Sequence, residues 1–502
     1  MISERNFLRC ITVTVVVRLI LAFALPVTGD EAYFFLWARH LDYGYYDHPP
    51  MVAWWLAALL KLSSAEFVLR LPAVVVPLLL GYGIYRFLEP YNNEQARWVT
   101  LLFLFTPVYL VLPITTTDTP LLLFVFLSVF ALTQAWVHER GWRYLLSGLL
   151  LGLAFLAKYF AVLLGIAYLA AFVLTADGRR RWRGLVLLTL GVLPAALLNT
   201  VWNYFNCWDN ILFNLFNRNT ESAFSWDKPA LFLLVQLYLL TPVLLYYAAR
   251  NARWLTWRAG QGEFVIPAFA ALVPLGLLFL VSLRREVGLH WVLAFYPFLY
   301  LLLGAGLKRK QLQRATAFMI IFGLLHAVVL VALSVVPVTV WRAAKAYPEI
   351  VFLLHTEEVA QALDAIDDKS ALFTTSYTPA AMLTHRIDRP VGVFGVGSRY
   401  ARQDDMLTDF RKLNGKDAMI LASSQDALTR YTVYFDRVER RTIELRGATF
   451  AVMVGRGFDY ARYRQGVLSE IRDRYYQIPD WLPVGGCGFL EAYFPEHRET
   501  MN

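Results

Sequence analysis

Two adjacent acidic residues, Asp30 and Glu31, stand directly after the first long apolar segment of the chain. At a membrane surface, neighbouring carboxylates are costly to desolvate and repel one another unless other groups compensate. A carboxylate in such a place can act as a general base that takes a proton from a hydroxyl group. An ordinary pair of solvated loop carboxylates is the alternative, and position alone does not separate the two.

The loop that carries this pair is unusual in composition. Residues 31–37 are aromatic and apolar, and after the DHPP element at 47–50 the stretch 51–60 is apolar but too short to span a membrane. Both stretches are typical of helices that lie along the interface, with Tyr and Trp at headgroup level. We therefore expect the loop to form a cavity wall.

Two more charged residues are expected at the same membrane level. Asp118 lies in the short turn TTTDT at 115–119, where it could act chemically or could cap the helix that begins near Pro120. Lys158 lies between two apolar runs, where an ammonium left in hydrocarbon costs roughly 2.5 to 3.5 kcal/mol. Its side chain could snorkel to the surface, but we favour binding of a lipid phosphate because Asp30 is expected on that face.

The remaining candidates allow two interpretations each. Arg284 and Arg285 break the usual bias of cations toward the cytoplasm, which indicates a substrate contact or pairing with Glu286. His48 in DHPP could hold the Pro-Pro corner by a hydrogen bond, or could contact substrate or a metal. His290, before Trp291, could be an interface anchor.

Two further features carry weaker signals. The Asn- and aromatic-rich stretch at 202–219 fits a carbohydrate cleft or an interfacial belt. Asp47 could supply a metal ligand, but its spacing from other ligand types is not diagnostic, so the metal requirement stays unknown.

The composition places these residues in a membrane protein. Of 502 residues, 58% are apolar and 17% charged, and the mean hydropathy is +0.47. The net charge of +9 comes from short basic clusters between apolar runs, a topology signal rather than a nucleic-acid surface. The three cysteines lack metal-ligand spacing, although Cys207 and Cys487 could pair in an oxidising compartment.

A span needs roughly 17 to 25 apolar residues to cross about 30 Å of hydrocarbon. We predict eleven spans, with the apolar stretch 144–174 split at Lys158 because one helix of that length would exceed the membrane thickness. The predicted spans are 10–27, 67–88, 98–114, 120–137, 144–157, 159–175, 184–201, 229–249, 264–283, 289–307 and 315–337.

The positive-inside rule sets the orientation. With the split, the loops assigned to the cytoplasm hold 16 Lys and Arg and those assigned outside hold 7. The N-terminus is therefore predicted to be cytoplasmic, and residues 338–502 are predicted to form a periplasmic α/β domain after a transmembrane domain at 1–337. Its β-rich runs are 371–376, 391–394, 418–422, 438–445 and 449–454, with helical stretches at 356–366 and 403–413.

Taken together, the Asp-Glu pair after the first span, the two juxtamembrane helices, the DHPP element and the acid in the second outer loop resemble the GT-C glycosyltransferases. The resemblance is narrower to the bacterial relatives of protein O-mannosyltransferases, the branch that includes the aminoarabinose transferases of lipid A. LGLAFLAKY, ending at Tyr159, and EVGLHW at 286–291 are also similar to this family. The resemblance covers residues 1–337, and the C-terminal domain carries no assignable motif.

The resemblance implies an enzyme that moves a sugar from a polyprenyl-phosphate donor to an envelope acceptor, such as lipid A, another glycan or a protein. It implies Asp30 as the base of an inverting displacement, with Glu31 and Asp118 assisting. Substrate contacts are expected from Lys158, His48, Tyr45, Tyr159, Arg284, Arg285 and His290.

The expected location is the bacterial inner membrane, with the site on the periplasmic face. Three other classes stay open. A lipid-linked sugar transporter would share the hydropathy, an O-antigen polymerase or ligase would share the substrates, and an inactive relative would keep only the fold. Paired broken helices typical of transporters are not evident in the sequence.

Overall fold

The computed structural model describes residues 2–217, 224–387 and 389–496. Helices dominate, and a mixed sheet lies in the C-terminal part. The α-helices up to residue 217 are Glu4–Ala24, Gly29–Arg39, Met51–Leu60, Glu66–Leu69, Leu71–Leu88, Asn93–Leu104, Pro107–Val111, Asp118–His138, Gly141–Ala157, Ala161–Leu174, Ala176–Arg180, Trp182–Phe205 and Asp209–Leu215.

The later α-helices are Asp227–Arg250, Ala252–Ala259, Val265–Ser282, Tyr296–Gly306, Arg309–Val335, Tyr347–Leu354, Thr356–Asp364, Tyr377–Ile387, Asp404–Leu407, Gln425–Thr429, Tyr460–Tyr463, Ser469–Tyr475 and Gly488–Tyr493. Short 3-10 helices are Gly262–Phe264, Leu289–Trp291, Leu293–Phe295, Val338–Trp341, Phe410–Leu413 and Thr432–Tyr434, and Arg464–Leu468 is a π-helical turn.

Among the described residues, eight helices are long and apolar enough to cross a membrane. They are Glu4–Ala24, Glu66–Leu88, Asp118–His138, Trp182–Phe205, Asp227–Arg250, Gly262–Ser282, Leu289–Gly306 and Arg309–Val335. Each coincides with a predicted span, so the multi-pass membrane class is confirmed. The total of eleven spans stays a prediction.

The predicted span at 98–114 is not one continuous helix. It forms the helices Asn93–Leu104 and Pro107–Val111, and the break lies just before a proline, which has no N–H to continue the ladder. Arg18 is buried beside the break and donates to two of its backbone carbonyls, at 3.1 and 3.2 Å. Such donors allow a broken helix at membrane depth, because the freed carbonyls keep partners.

The split predicted at Lys158 is confirmed as a helix break. The Gly141–Ala157 helix ends there, Lys158 has extended backbone angles, and the Ala161–Leu174 helix follows. At about 1.5 Å per residue these helices are about 26 and 21 Å long, shorter than an average hydrocarbon core of about 30 Å.

The described residues form two compact units. Unit 1 comprises Met1–Leu25, Leu59–Leu198 and Glu221–Ser334, and unit 2 comprises Pro26–Ala58, Asn199–Thr220 and Val335–Asn502. The predicted domain division at 337 stays a prediction, because compactness does not report where a membrane lies. Unit 2 nevertheless contains the DE and DHPP loop and the Asn-rich segment as well as the C-terminal residues.

Unit 1 packs its helices through small residues and buried polar pairs. A Cβ on Gly148 would lie 1.9 Å from the carbonyl oxygen of Leu188, so the two helices approach at glycine. Nearby, the buried hydroxyls of Ser128 and Tyr168 are 2.9 Å apart, and Ser128 donates to the carbonyl of Ser147 at 2.8 Å. These bonds satisfy polar groups that hydrocarbon cannot.

Unit 2 contains a five-stranded sheet with the order β2-β1-β3-β5-β4. The strands are β1 Ala371–Thr374, β2 Gly392–Val393, β3 Ala418–Ala422, β4 Phe435–Leu445 and β5 Ala448–Phe458. β1 pairs in parallel with β2 and β3, while β5 is antiparallel to both β3 and β4. Arg446 and Gly447, both with positive φ, form the tight turn between β4 and β5.

The predicted C-terminal sheet is thus confirmed, and each of its five strands overlaps a predicted β-rich run. One face of the sheet is covered by aromatic side chains, with Phe394 in ring contact with Phe373, Phe410, Phe458 and Tyr463. The first outer loop forms the two helices expected of it, Gly29–Arg39 and Met51–Leu60.

Candidate functional site

Asp30 lies in the first turn of the Gly29–Arg39 helix of unit 2, and its side chain is exposed. The hydroxyl of Tyr377 donates a hydrogen bond to its Oδ1 at 3.0 Å. An acidic residue in a first helical turn also interacts favourably with the helix dipole. An exposed, oriented carboxylate is what abstraction of a proton from an incoming hydroxyl requires.

Glu31, the next residue, has a structural function. It is fully buried, and its Oε2 accepts from the backbone N–H of Thr28 at 3.2 Å. The Thr28 hydroxyl in turn accepts from the Glu31 N–H at 3.3 Å, which completes a capping box. The two adjacent acids therefore point to different surroundings, and a substrate contact of Glu31 stays a prediction.

Asp47, the first residue of DHPP, is a buried carboxylate. It accepts a 3.4 Å hydrogen bond from the Tyr33 hydroxyl, which itself accepts from the Gln403 N–H at 3.1 Å. Burial, with a smaller contribution from the charge of Asp30, raises the pKa of Asp47 to about 7, although the backbone N–H groups of Asp47 and Ala401 oppose the shift. The groups that donate hydrogen bonds to Asp47 are neutral. Its carboxyl group therefore loses its proton at a pH well above that of an ordinary aspartate.

His48 and Tyr45, the two residues of this loop that are predicted to contact substrate, are joined by a bond from the Tyr45 N–H to the His48 carbonyl at 3.0 Å. The ring of His48 is 6.3 Å from the rings of Phe34 and Trp37. Tyr45 is fully buried, stacks on Trp37 at 4.3 Å and donates from its hydroxyl to the Trp37 carbonyl at 3.0 Å. Tyr45 shapes the loop, and a donor contact by either residue stays a prediction.

A cluster of buried charges in unit 2 was missed by sequence reasoning. The Arg402 guanidinium binds both oxygens of Asp405, at 2.7 and 2.8 Å, and the Tyr476 hydroxyl donates to the same carboxylate at 3.0 Å. Burial and neighbouring Asp405 raise the pKa values of both Asp404 and Asp209, and Arg402 opposes both shifts. The only sequence signal was an Arg-Gln-Asp-Asp run in a stretch interpreted as a polar helix.

In unit 1, Asp118 and Lys158 form a buried ion pair. The Lys158 ammonium lies 2.8 Å from each carboxylate oxygen, and the side chains are 7% and 16% exposed for Lys158 and Asp118. The N-cap alternative for Asp118 is wrong, because Thr117 occupies that position and the Asp118 carboxylate is turned to the lysine. The snorkelling and phosphate interpretations of Lys158 both omitted this partner.

Aromatic residues extend this pair within unit 1. The Lys158 ammonium lies 5.3 Å from the centre of the Phe160 ring, and Phe160 contacts the Trp291 ring at 4.6 Å. The EVGLHW segment is thereby brought beside the lysine, with His290 exposed next to Trp291. Tyr159 stacks on Phe155 at 5.0 Å.

Arg284 and Arg285 follow the end of the Val265–Ser282 helix in unit 1. The carbonyl oxygen of Arg284 accepts from the Lys228 ammonium at 3.0 Å, which gathers three cations at this end of the unit. Arg284 is exposed and Arg285 is half-buried. Their part in donor binding stays a prediction.

Three asparagines of the stretch 202–219 donate hydrogen bonds to backbone carbonyls of the protein. Asn210 donates to the carbonyl of Tyr45 at 2.7 Å, Asn214 to that of Asp47 at 3.2 Å and Asn217 to that of Tyr475 at 3.1 Å. These bonds tie three sequence-distant segments of unit 2 together, which neither the cleft nor the belt interpretation anticipated. Residues 218 and 219 lie outside the described part.

A disulfide joins the same segments. Cys207 and Cys487 are bonded, with their Cα atoms 4.4 Å apart and their positions separated by 280 in the sequence. The pairing that the sequence left open is therefore present. As for a metal, no group of three or more His, Cys, Asp or Glu side chains suited to hold one occurs within the described ranges.

Comparisons with known proteins agree with this architecture. Residues 47–204 match the family described as dolichyl-phosphate-mannose-protein mannosyltransferase. A crystal structure of ArnT from Cupriavidus metallidurans bound to undecaprenyl phosphate aligns with a TM-score of 0.59 over 89% of this chain and 97% of that chain. The predicted GT-C fold is confirmed. At 16% identity, the ArnT alignment shows the shared GT-C fold alone.

A curated relative is the lipid A galacturonosyltransferase RgtD of Rhizobium johnstonii (strain DSM 114642 / LMG 32736 / 3841), which is 30% identical over 209 residues. The match covers 40% of this chain and 42% of that enzyme, so this chain spans less than half of its length. Archaeal oligosaccharyltransferase AglB from Archaeoglobus fulgidus, solved with an inhibitory peptide and a dolichol-phosphate, aligns at 11% identity and a TM-score of 0.44 over 88% of this chain and 74% of that chain. The AglB likeness is too low to support an inference.

Proposed function

We propose that this GT-C protein is an integral membrane glycosyltransferase that takes its sugar from a polyprenyl-phosphate carrier. The observation that carries the proposal is the exposed Asp30 carboxylate, held at a helix start by the Tyr377 hydroxyl. Deprotonation of an acceptor hydroxyl is the demanding proton transfer in such a reaction, and a positioned carboxylate supplies it.

The reaction balances with one base. The acceptor oxygen attacks the anomeric carbon, its proton passes to Asp30, and the bond between that carbon and the phosphate oxygen breaks. The carrier phosphate leaves with the electron pair, so it needs no acid. Since a single displacement occurs, the anomeric configuration inverts.

Lys158 is the proposed contact for the carrier phosphate. An ammonium has three N–H donors, and Asp118 fixes its position through two contacts of 2.8 Å. A cation held in a dry, aromatic environment stabilises an anionic leaving group more strongly than one in water. Asp118 is thus a positioning residue for Lys158, and Arg284, Arg285, His48, Tyr45, Tyr159 and His290 are further candidate donor contacts.

The relatives support the substrate class. ArnT was crystallised with undecaprenyl phosphate, and RgtD is described as acting on lipid A. We therefore propose an envelope acceptor, with lipid A ahead of other glycans and proteins. The periplasmic face of the inner membrane is supported by the cation bias of the loops and by the disulfide in unit 2, since disulfides persist in oxidising compartments.

Replacement of Asp30 tests the proposal. Asp30→Asn should lower transfer by about 10²- to 10⁴-fold, the range that a general base contributes, while the protein stays folded and membrane-inserted. Mass spectrometry of envelope lipids from a deletion strain, complemented with each variant, reports which sugar disappears and from which acceptor.

Asp227→Asn is the matched control, because Asp227 is an exposed acid in the first turn of another helix. Transfer at the normal level in the Asp30→Asn strain would refute the assigned base. A reporter fused after residue 345 tests the face separately, and activity in the cytoplasm would refute the periplasmic site.

A further inference from the structure

We propose that Tyr377, in the C-terminal part of unit 2, is a positioning residue that orients the Asp30 carboxylate for proton abstraction. The inference rests on the proposed function and extends it to a region of the chain with no assignable catalytic motif. Tyr377 begins the Tyr377–Ile387 helix, and 347 positions separate it from the carboxylate it contacts.

Asp30 needs such a partner because the side chains of the nearby Thr28 and Glu31 are already hydrogen-bonded in the capping box. The capping box uses Thr28 and Glu31, whose side chains bond to each other's backbone. Asp30 is exposed, so its carboxylate would rotate freely in solvent without a donor. The 3.0 Å bond from Tyr377 occupies Oδ1 and thereby presents Oδ2 to an incoming hydroxyl. A base held in one orientation reacts faster than one that must be reoriented in each turnover.

Tyr377 is itself held in place. Its ring packs edge-on against the Tyr33 ring at 5.4 Å, one helical turn along from Asp30. At the start of the same helix, a Cβ on Gly29 would lie 2.1 Å from the Thr378 methyl group, so the two helix starts pack against each other with no space between. Farther along, the rings of Phe35 and His385 are 5.1 Å apart. The donor and the acceptor therefore belong to a packed pair of helices.

Tyr377 can only act as a donor if its hydroxyl keeps its proton. Burial raises the pKa of Tyr377 to about 12, and the negative charge of Asp30 adds to this shift. The hydroxyl is accordingly protonated at every pH at which the enzyme would work, and the bond to Asp30 runs from tyrosine to carboxylate.

Tyr377→Phe isolates the hydroxyl, because it keeps the ring contact with Tyr33. Without this bond the Asp30 carboxylate loses its fixed orientation, so kcat should fall about 10- to 100-fold. The KM for the lipid-linked donor should stay unchanged, since the lost contact serves the transition state. Both constants are measured per folded enzyme in detergent, with thermal unfolding recorded alongside.

Tyr347→Phe is the matched control. Tyr347 also belongs to unit 2, and its hydroxyl donates to the carbonyl of Arg446 at 2.7 Å. If a general loss of packing lowers kcat, it should do so in both variants. If the loss of the bond to Asp30 lowers kcat, only Tyr377→Phe should be affected.

The outcomes separate the two proposals. A normal kcat in Tyr377→Phe, or an equal fall in Tyr347→Phe, would overturn the role of Tyr377 and leave Asp30 as the base. A normal rate in Asp30→Asn would refute Asp30 as the base and with it the role of Tyr377, whereas absence of sugar transfer by the unaltered protein would overturn the proposed function itself. A fall confined to the kcat of Tyr377→Phe, together with loss of activity in Asp30→Asn, supports both.

Discussion

Asp30 and Asp118 both lie in the first turn of a helix, one in each compact unit, but their surroundings are opposite. Asp118 is mostly buried and both of its oxygens contact the Lys158 ammonium. Asp30 is exposed and receives a hydrogen bond from a neutral hydroxyl. A carboxylate that is committed to a buried ion pair serves to hold its cation, whereas one oriented by a neutral donor can still accept a proton. The same residue type at the same helical position thus suits two different tasks.

Asp47, a second acid of unit 2, also lacks a cationic partner among the groups that donate to it. Asp47 is buried, and the donors that contact it, the Tyr33 hydroxyl and the Ala401 N–H, are neutral. In unit 1 a lysine neutralises the buried Asp118, whereas in unit 2 Arg402 neutralises Asp405 and burial favours the protonated form of Asp47. Three experiments can break or sharpen this contrast.

The largest effect is expected at the buried ion pair. Removing one partner of such a pair costs about 3 to 5 kcal/mol, because the other charge is left buried without compensation. Asp118→Asn and Lys158→Met should each lower the thermal stability markedly in detergent. The double variant should recover most of the stability but no transfer activity, because the phosphate contact is lost.

Glu89→Gln gives the control for this cycle, since the Arg86–Glu89 pair is largely exposed and such pairs contribute about 0 to 1 kcal/mol. If the double variant regained both stability and transfer, Lys158 would have only a structural role.

A smaller effect, about 1.4 kcal/mol per pH unit at most, is expected from the proton on Asp47. Its pKa is about 7 in the folded protein and the ordinary value is about 3.9, so the folded state binds the extra proton between these values. Stability from this group is complete below pH ~4 and is lost as the pH rises to ~7. Chemical denaturation between those limits should show the decline, and Asp47→Asn should flatten it. An unchanged slope in that variant would assign the proton elsewhere.

The smallest effect is expected from Glu31. Glutamine can replace glutamate in a capping box, so Glu31→Gln should keep both stability and transfer. Glu31→Ala should lose about 1 kcal/mol of unfolding free energy, as should Thr28→Ala, with transfer per folded molecule unchanged. Loss of transfer in a stable Glu31→Gln would instead give this residue a catalytic part and weaken the contrast between the two adjacent acids.

Sequence reasoning was most successful where the signal is local. The eight long helices, the break at Lys158, the two helices of the first outer loop and the five strands all follow from apolar runs or period-two alternation. The break before Pro107 was missed, because the apolar run continues across it and the compensating Arg18 lies far away in sequence.

For the candidate site residues as well, the sequence could identify single residues but not the contacts that they make. The exposed acid and the lysine of the site could be found from the sequence, since charges are rare beside membrane spans and stand out there. The Asp118–Lys158 and Asp30–Tyr377 contacts could not be found, because they join residues 40 and 347 positions apart. The Cys207–Cys487 pairing, across 280 positions, could be named only as a possibility. The bonds of Asn210, Asn214 and Asn217 to distant segments were missed for the same reason.

By itself, the sequence determined that this protein is built of membrane helices, which acids follow those helices in the chain and which family it resembles, because hydrophobic length and rare charges are properties of short segments. Only the tertiary structure decided what each carboxylate does. Whether an acid caps a helix, pairs with a lysine or accepts a bond from a tyrosine depends on which distant groups the fold brings within about 3 Å of it. That distance sets the chemistry, and no local pattern encodes it.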